Sequence, residues 1–237
     1  MNTLHYIGRE LDVFAHATNW KRYWSAKILP FLRGDVLEVG AGLGSNTSLL
    51  IAAREVRSWT CVEPDPDLAR RLKQALESRT ETARCRVVAG TTRSFDRTAQ
   101  FDSLIYIDVL EHIEGDKQEL EWAARLLRPR GTLVVLAPAH QWLYTSFDKA
   151  IGHFRRYTRK TLIDCSPSGC HLEKINYLDS CGLLTSLGNR LLLNRANPSL
   201  SQIRFWDSYL LPISAVLDPL FRFRIGKSVL GIWRKSD

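Results

Sequence analysis

The chain lacks any apolar run that approaches the ~20 residues needed to span a bilayer. Its first six residues also lack the basic stretch and apolar stretch of a signal peptide, so we expect no leader. The five cysteines are odd in number and lack metal-type spacing, since Cys165 and Cys170 have only His171 near them. This pattern favours reduced thiols in a cytoplasmic protein, and we predict no metal site.

Positive charge is concentrated near the end of the chain. The net charge is +8, and residues 151–237 hold 13 Lys/Arg against 6 Asp/Glu. Such a surface suits an anionic substrate, a membrane face or nucleic acid, and it equally fits a solvated basic face. The length of 237 residues suffices for one large α/β domain or two small ones.

Residues 35–47 have the pattern of a buried strand, a glycine loop and a helix start. Glu38 lies inside the apolar strand and needs a partner if it is buried. Gly40, Gly42 and Gly44 allow the chain to turn sharply and a ligand to approach the backbone closely. Their order is Glu-x-Gly-x-Gly-x-Gly, which differs from the G-x-G-x-x-G pattern of dinucleotide-binding folds.

This loop resembles motif I of the class I methyltransferases that use S-adenosylmethionine (SAM). Two further motifs strengthen the resemblance: Asp108 followed by Leu-Glu-His-Ile, and Leu-x-Pro-x-Gly at residues 127–131 before an apolar strand. The resemblance covers roughly residues 35–138. It implies SAM as cofactor, with S-adenosylhomocysteine (SAH) as product. It also implies an α/β, Rossmann-like fold with a mostly parallel seven-stranded sheet, helices on both faces and an antiparallel last strand.

Five predicted strands alternate with helices, at residues 35–39, 58–64, 86–90, 101–108 and 132–138. In such sheets ligands bind beyond the carboxyl ends of the strands. Glu63 is placed to bind both ribose hydroxyls, whereas threonine stands where the family often has an Asp near adenine. The predicted cofactor-binding residues are Glu38, Gly40, Ala41, Gly42, Gly44, Asn46, Glu63, Pro64, Thr91, Thr92, Asp108, Val109 and Trp20.

The segment after the fifth strand is dense in reactive side chains. Its Pro-Ala-His, Leu-Tyr-x-Ser-Phe-Asp and Gly-His-x-Arg-Arg-Tyr-Thr runs resemble a bacterial subgroup of small-molecule, type 11-like methyltransferases. Methyl transfer to a hydroxyl requires loss of its proton, and a neutral His suits that task. His153 and His140 are therefore candidate bases, with Asp148 as orienter. The predicted acceptor-binding residues are Arg155, Arg156, Tyr144 and Tyr157.

Several of these histidines and aromatic residues also fit purely structural roles. The segment from residue 147 to 160 also fits a basic surface loop and helix with its rings packed beneath. His112 is either a base or, as we favour, a structural residue at the turn from strand to helix. Residues 1–34 are helical and aromatic, and they either form a lid or cover the sheet.

We predict a single domain over residues 1–237. It consists of an N-terminal helical lid (1–34), a SAM-binding core (35–138), an acceptor-site segment (139–170) and a helical insertion (180–226) between strands at 172–177 and 227–233. The apolar insertion packs on the core, pairs with another subunit or contacts a membrane surface, and we favour core packing.

These patterns predict O-methylation of a small-molecule or lipid-linked acceptor, with an anionic group on the acceptor as one option. We expect a cytoplasmic monomer or homodimer, with peripheral contact at the inner membrane face left open. A nucleic-acid methyltransferase is an alternative that rests on basic charge alone. The fourth strand lacks the Asn/Asp-Pro-Pro-aromatic motif of base amino methylation, so we expect no nucleic-acid partner. A nucleotide-binding regulatory module without transferase activity is the other alternative.

Overall fold

One seven-stranded sheet organises the computed structural model, which describes residues 16–77, 84–96, 98–188 and 199–237. The strands are β1 (Gly34–Val39), β2 (Val56–Glu63), β3 (Cys85–Ala89), β4 (Phe101–Ile107), β5 (Leu127–Pro138), β6 (Cys170–Leu178) and β7 (Ser228–Lys235). The helices are α1 (Thr18–Ile28), α2 (Thr47–Leu50), α3 (Pro66–Glu77), α4 (Asp116–Arg125), α5 (Ser146–Ala150), α6 (Arg159–Ile163), α7 (Ser180–Gly188), α8 (Leu200–Phe205) and α9 (Leu211–Leu220).

The strand order is β3-β2-β1-β4-β5-β7-β6, with β1 to β5 parallel and β7 antiparallel to both of its neighbours. The predicted fold is therefore confirmed. The order reverses between β1 and β4, and ligands of doubly wound sheets bind at such a switch point. Because β7 runs backwards, its first residue, Ser228, lies opposite Pro138 at the carboxyl end of β5.

Strand residues alternate between two apolar cores on the two faces of the sheet. Val36, Ile105 and Val134 point into a core that α1 and the insertion cover. Leu37 and Leu104 point into the opposite core, beneath α4 and α6. Burial on both faces explains why the central strands are continuous apolar runs.

Two predicted boundaries differ from the structure. The helix after the glycine loop was expected to reach Ala53, but α2 ends at Leu50, because the guanidinium of Arg84 binds the carbonyls of Ile51 and Val56 as the chain turns into β2. The fifth strand was expected from residue 132, but β5 begins at Leu127 and absorbs the Arg-Pro-Arg-Gly run as an irregularity in its pairing with β4.

The helical insertion packs on α1 and the sheet through Ile203, Trp206 and Leu211. Trp206 lies in a π-helical turn (Trp206–Leu210) between α8 and α9, and its ring centroid is 6.0 Å from that of Trp20. Buried Asp207 accepts hydrogen bonds from the backbone N–H groups of Asn19 and Trp20. Residues 1–15 of the predicted lid, and the leucines predicted helical at 191–193, lie outside the described residues. Among the described helices, none combines the length and apolarity required to cross a membrane.

Candidate active site

The glycine loop follows β1 and has a backbone that only glycine adopts easily. Gly40, Gly42 and Gly44 have φ angles of +67°, +55° and +76°. A Cβ atom on Gly40 would lie 2.6 Å from Val109, and one on Gly44 would lie 2.4 Å from Leu72. The loop therefore packs against Val109, just after β4, at the sheet edge where the cofactor is expected to bind.

Glu38 supports this loop from within the sheet. Its carboxylate accepts hydrogen bonds from Thr47 Oγ1 at 2.5 Å and from Trp59 Nε1 at 2.8 Å. The side chain is buried, and this burial raises the pKa of Glu38 to about 7. Glu38 therefore has the partners that its place in an apolar strand demanded.

Glu63 ends β2 and binds the loop directly. Its carboxylate accepts the N–H of Gly42 at 2.8 Å and the N–H of Asp65 at 3.0 Å, and burial raises the pKa of Glu63. Each carboxylate oxygen has two lone pairs, so these bonds leave capacity for a ribose hydroxyl. Pro64, which follows, is partly exposed, and half-buried Asn46 lies beside buried Ala41 and Gly42 in the same loop region.

The two threonines after β3 differ in environment. Thr91 is exposed, whereas the buried Thr92 hydroxyl donates to Glu119 Oε1 at 2.7 Å. Trp20 is buried beside Trp206 on the insertion face. Of these three predicted cofactor residues, Thr91 has the side chain that is open to a ligand.

Asp108 ends β4 in a left-handed conformation, with φ +54°. Its side chain is accessible to solvent yet surrounded by protein, which is the position of a residue that lines a concave site. This enclosure raises the pKa of Asp108 to about 6, although the charges of His153, Lys227 and Arg156 oppose the shift. Val109 is partly buried against Gly40.

Asp148 joins two predicted site residues of the segment after β5. Its Oδ1 lies 3.0 Å from His153 Nδ1, and its two oxygens accept bonds from Arg156 Nε at 2.8 Å and a terminal nitrogen of Arg156 at 3.0 Å. Asp148 is buried, and its bonds to His153 and Arg156 outweigh the effect of burial and hold its pKa well below the usual range. An ionised carboxylate only accepts, so His153 carries a proton on Nδ1, and Nε2 is the bare nitrogen of its neutral form.

The other residues predicted to bind an acceptor have partners inside the protein. Arg155 forms an ion pair with Asp116 at 2.6 Å, and the Tyr144 hydroxyl donates to the backbone carbonyl of His153. Tyr157 is only 1% exposed, and its hydroxyl donates to Asp116 at 2.8 Å. We correct the prediction for Tyr157: it is a core residue, because its ring is buried in the apolar core beneath α4 and α6.

His140 follows β5 in a left-handed conformation and is separate from His153. Its Nε2 donates to the carbonyl of Gly226 at 3.0 Å, and its ring lies 4.8 Å from the ring of Tyr177. Burial lowers the pKa of His140. The neutral imidazole therefore has its lone pair on Nδ1, available to accept a proton.

Lys227 is a site residue that the sequence analysis missed. It precedes β7, and its ammonium lies 3.6 Å from Asp179 Oδ2 and 4.1 Å from the centroid of the Trp206 ring. Burial lowers the pKa of Lys227, and it acts electrostatically on Asp108. The predicted antiparallel last strand was the signal that could have placed Lys227 at this edge.

The geometry therefore gathers a glycine loop, an acidic strand end and two basic imidazoles at one sheet edge. Residues 37–133 match the family model described as a methyltransferase domain. This part of the chain is a SAM-dependent methyltransferase domain. Its cofactor is SAM. No curated protein sequence matches the chain significantly.

Solved structures of two N-methyltransferases and a cyclopropane synthase have the same fold. A coclaurine N-methyltransferase bound to N-methylheliamine and SAH has a TM-score of 0.63 at 11% identity, over 92% of this chain and 72% of that one. An N-methyltransferase from Bradyrhizobium japonicum in complex with SAH has a TM-score of 0.58 at 15% identity, over 92% and 87%. A cyclopropane synthase from Mycobacterium tuberculosis has a TM-score of 0.60 at 16% identity, over 96% and 99%.

Proposed function

We propose that the chain transfers the methyl group of SAM to an oxygen atom of a small-molecule or lipid-linked acceptor. The observation that carries this proposal is the convergence of the glycine loop and Glu63 with His140 and His153 at one edge of the sheet. A donor held by the loop at the switch point would present its methyl group toward the histidines.

The two imidazoles favour oxygen over nitrogen as the acceptor atom. The sulfonium donor is already activated, so the protein has to align the acceptor, exclude water and, for a hydroxyl, accept a proton. A neutral amine attacks with its own lone pair and needs no base before transfer. Bare Nδ1 of His140 and bare Nε2 of His153 are both suited to accept a hydroxyl proton.

The charges around the site support an acceptor with an anionic group. The charges of Lys227 and Arg156 both act on Asp108, and the side chain of Arg155, next to Arg156 in the chain, is 29% exposed. Arg156 is held by Asp148 with its fork in a fixed orientation. A carboxylate or phosphate on the acceptor would be attracted by this group of cations.

A lipid-linked acceptor is supported by one exposed face of the insertion. Large apolar side chains recur every three or four residues along α8, the π-helical turn and α9, at Phe205, Tyr209, Ile213, Val216 and Leu220, each at least 49% exposed. Both acidic residues of this stretch, Asp207 and Asp218, are buried, whereas its arginines at 204, 222 and 224 are exposed. An apolar stripe with only positive exposed charge suits the surface of an anionic membrane.

Incubation with methyl-labelled SAM tests the proposal. Hydroxylated small molecules, their amine analogues and a lipid extract would be offered in parallel, and the labelled product identified by mass spectrometry. Label on an oxygen atom of a small molecule or lipid supports the proposal. Label on nitrogen, or on added RNA or DNA, would replace it with the corresponding activity. SAM binding by calorimetry without any transfer would favour a regulatory module.

A further inference from the structure

The turn after β4 contains a buried carboxylate without a partner. Glu111 is fully buried in the turn Leu110–His112, and neither of its oxygens has a hydrogen-bond partner among the described residues. Its own backbone N–H lies near the carboxylate but outside hydrogen-bond geometry. A buried carboxylate costs several kcal/mol, roughly, unless a cation or donor compensates it. The position of Glu111 therefore points to a cation that its neighbours help to bind.

Two histidines face this carboxylate. Glu111 Oε1 lies 3.8 Å from His153 Nε2, and the rings of His112 and His153 meet edge to face with centroids 4.5 Å apart. One ligand atom from each of the three residues lies within 4.8 Å of the other two. Ligand atoms about 2.1 Å from a tetrahedral ion are about 3.4 Å from one another. Side-chain movements of about 1 Å would bring the three ligand atoms to that spacing.

The hydrogen bond between His153 and Asp148 orients this imidazole as metal-binding imidazoles are oriented. Asp148 holds the proton of His153 on Nδ1, which leaves Nε2 bare on the side of Glu111. The His112 ring lies beside the backbone of Gly152. Carboxylates and backbone carbonyls that hold the second nitrogen of a histidine are the usual supports of metal-binding imidazoles.

We propose that Glu111, His112 and His153 bind one divalent transition-metal ion, of the class that includes Zn²⁺ and Fe²⁺. Two imidazoles and one carboxylate favour these ions over Mg²⁺ and Ca²⁺, which prefer oxygen ligands. Three protein ligands leave a coordination position open. Asp108, whose charge acts on both Glu111 and His153, lies on the side of the site where the methyl acceptor is expected.

The role of the ion rests on the proposed function. A hydroxyl oxygen bound at the open position would lose its proton more readily, as metal-bound water does. The O–H bond would break with the proton passing to neutral His140 or to solvent. The oxygen would then form a bond to the methyl carbon as the carbon–sulfur bond breaks and SAH leaves. In this arrangement Nε2 of His153 binds the ion and does not serve as the base.

The cysteine and histidine spacing predicted no metal site, because metal ligands are recognised in a sequence by short spacing. His112 and His153 are far apart in the chain and are brought together by the backbone. The N–H of Phe154 donates to the carbonyl of Glu111 at 2.8 Å, and the N–H of His153 donates to the carbonyl of Asp148 at 2.9 Å. These bonds hold the segment after β5 against the turn after β4.

Calorimetric titration of the chelator-treated, untagged protein with Zn²⁺ tests the inference. We expect one Zn²⁺ per chain, little heat with Mg²⁺, and loss of the site in Glu111→Gln and His112→Gln. Asp148→Asn should weaken Zn²⁺ binding about 10–100-fold, as removal of such a support does. His171→Gln, which alters an exposed histidine on β6, and Cys85→Ser are matched controls that should retain the site.

Thermal melting separates loss of the site from loss of the fold. Zn²⁺ should raise the melting temperature of the wild type and of His171→Gln but not that of Glu111→Gln. Without metal, Glu111→Gln should melt at or above the wild-type temperature, because a buried unpartnered carboxylate is removed. No Zn²⁺ binding by the wild type, or equal binding by Glu111→Gln, overturns the inference.

Failure of this inference and failure of the proposed function give different results. If metal-free protein still transfers methyl groups to oxygen in excess EDTA, the metal has no role in the reaction and the proposed function stands. Zn²⁺ bound at Glu111 in a protein that methylates no oxygen acceptor leaves the site and removes the proposed function.

Discussion

His153 donates from Nδ1 to Oδ1 of Asp148 across 3.0 Å, five positions earlier in the chain. The same carboxylate accepts the backbone N–H of Thr145, the residue just before α5, and N–H groups from two nitrogens of Arg156. One buried side chain thus determines the path of the segment after β5, the tautomer of His153 and the orientation of Arg156. The chemistry of this segment therefore depends on Asp148, which itself is only 1% exposed.

Removal of this carboxylate should destabilise the protein strongly. Asp148→Ala leaves Arg156 without its partner, and breaking a buried ion pair costs about 3–5 kcal/mol. The matched control is Asp237→Ala, which breaks the Arg130–Asp237 pair, whose side chains are 73% and 74% exposed. That exposed pair should contribute little, because water screens both of its charges. Urea unfolding measures both, and equal effects of the two variants would contradict the assignment of Asp148 as the organising residue.

Local patterns predicted the sheet well, whereas contacts between distant segments stayed hidden. Central strands buried on both faces appear as apolar runs, and the turn after β1 needs left-handed residues, so Gly40 and Gly42 were recognisable. The contact of Glu111 with His153 depends on two loops meeting across the sheet edge, and no local period encodes it. Lys227 was missed for the same reason, since its partner Asp179 belongs to the end of β6.

Contacts of single side chains explain two predictions that were wrong. The helix α2 ends earlier than residues 48–53 suggested, where the guanidinium of Arg84 binds the carbonyls of Ile51 and Val56 as the chain turns into β2. Tyr157 looked like an acceptor contact because it adjoins Arg155 and Arg156. Its hydroxyl points to Asp116 in the core instead, and no neighbour in sequence indicates that direction.

Cofactor affinity should depend on the contact between Glu63 and the glycine loop. Glu63→Ala removes the acceptor of the Gly42 N–H and the expected ribose contact, so SAM binding should weaken by about 1.5–3 kcal/mol. Gly42→Val should abolish binding, because valine is strained at φ +55°. Calorimetric titration with SAM measures both, with circular dichroism to verify the fold and exposed Glu77→Ala as control. Unchanged affinity in Glu63→Ala would remove Glu63 from the ribose role.

Glu38 should make the protein less stable as the pH rises. Its folded-state pKa of about 7 exceeds its ordinary value of 4.5, so the folded protein binds more protons than the unfolded chain between these values. The free energy of unfolding should therefore fall by about 1.4 kcal/mol per pH unit in this window, or about 3 kcal/mol in all. Glu38→Gln should lack this term. Urea unfolding of both proteins at pH 4.5, 6 and 8 tests it, and parallel profiles would count against the buried, partly protonated carboxylate.

The exposed stripe of α9 should govern binding to anionic vesicles. Val216 and Leu220 are 71% and 73% exposed, so Val216→Ser and Leu220→Ser should leave stability nearly unchanged. Each substitution should weaken vesicle binding about 10- to 100-fold, because burial of such a side chain is worth about 1.5–3 kcal/mol. Flotation with phosphatidylglycerol vesicles at low and high salt measures this, with Ile163→Ser on α6 as control. Absence of flotation together with a dimer in solution would assign the stripe to contact between two copies.

Comparison of His140 with His153 will decide which group handles the acceptor proton. General-base assistance is worth about 10²- to 10⁴-fold in rate, so His153→Ala should reduce kcat by that factor while SAM still binds. Loss of a metal ligand would give the same reduction in kcat, and measurement in EDTA separates the two causes. If His153 is the base, His153→Ala remains slower than the wild type in EDTA. If His153 is a metal ligand, the difference disappears, because EDTA makes the wild type equally slow.

His140→Ala must be measured beside it, and a larger reduction would transfer the role to His140. Because burial lowers the pKa of His140, a reaction that uses it as base should retain its rate somewhat below pH 6.5 and fall only in more acidic solution. If neither substitution costs more than about tenfold, the enzyme works by aligning and desolvating the acceptor, and no base should be assigned.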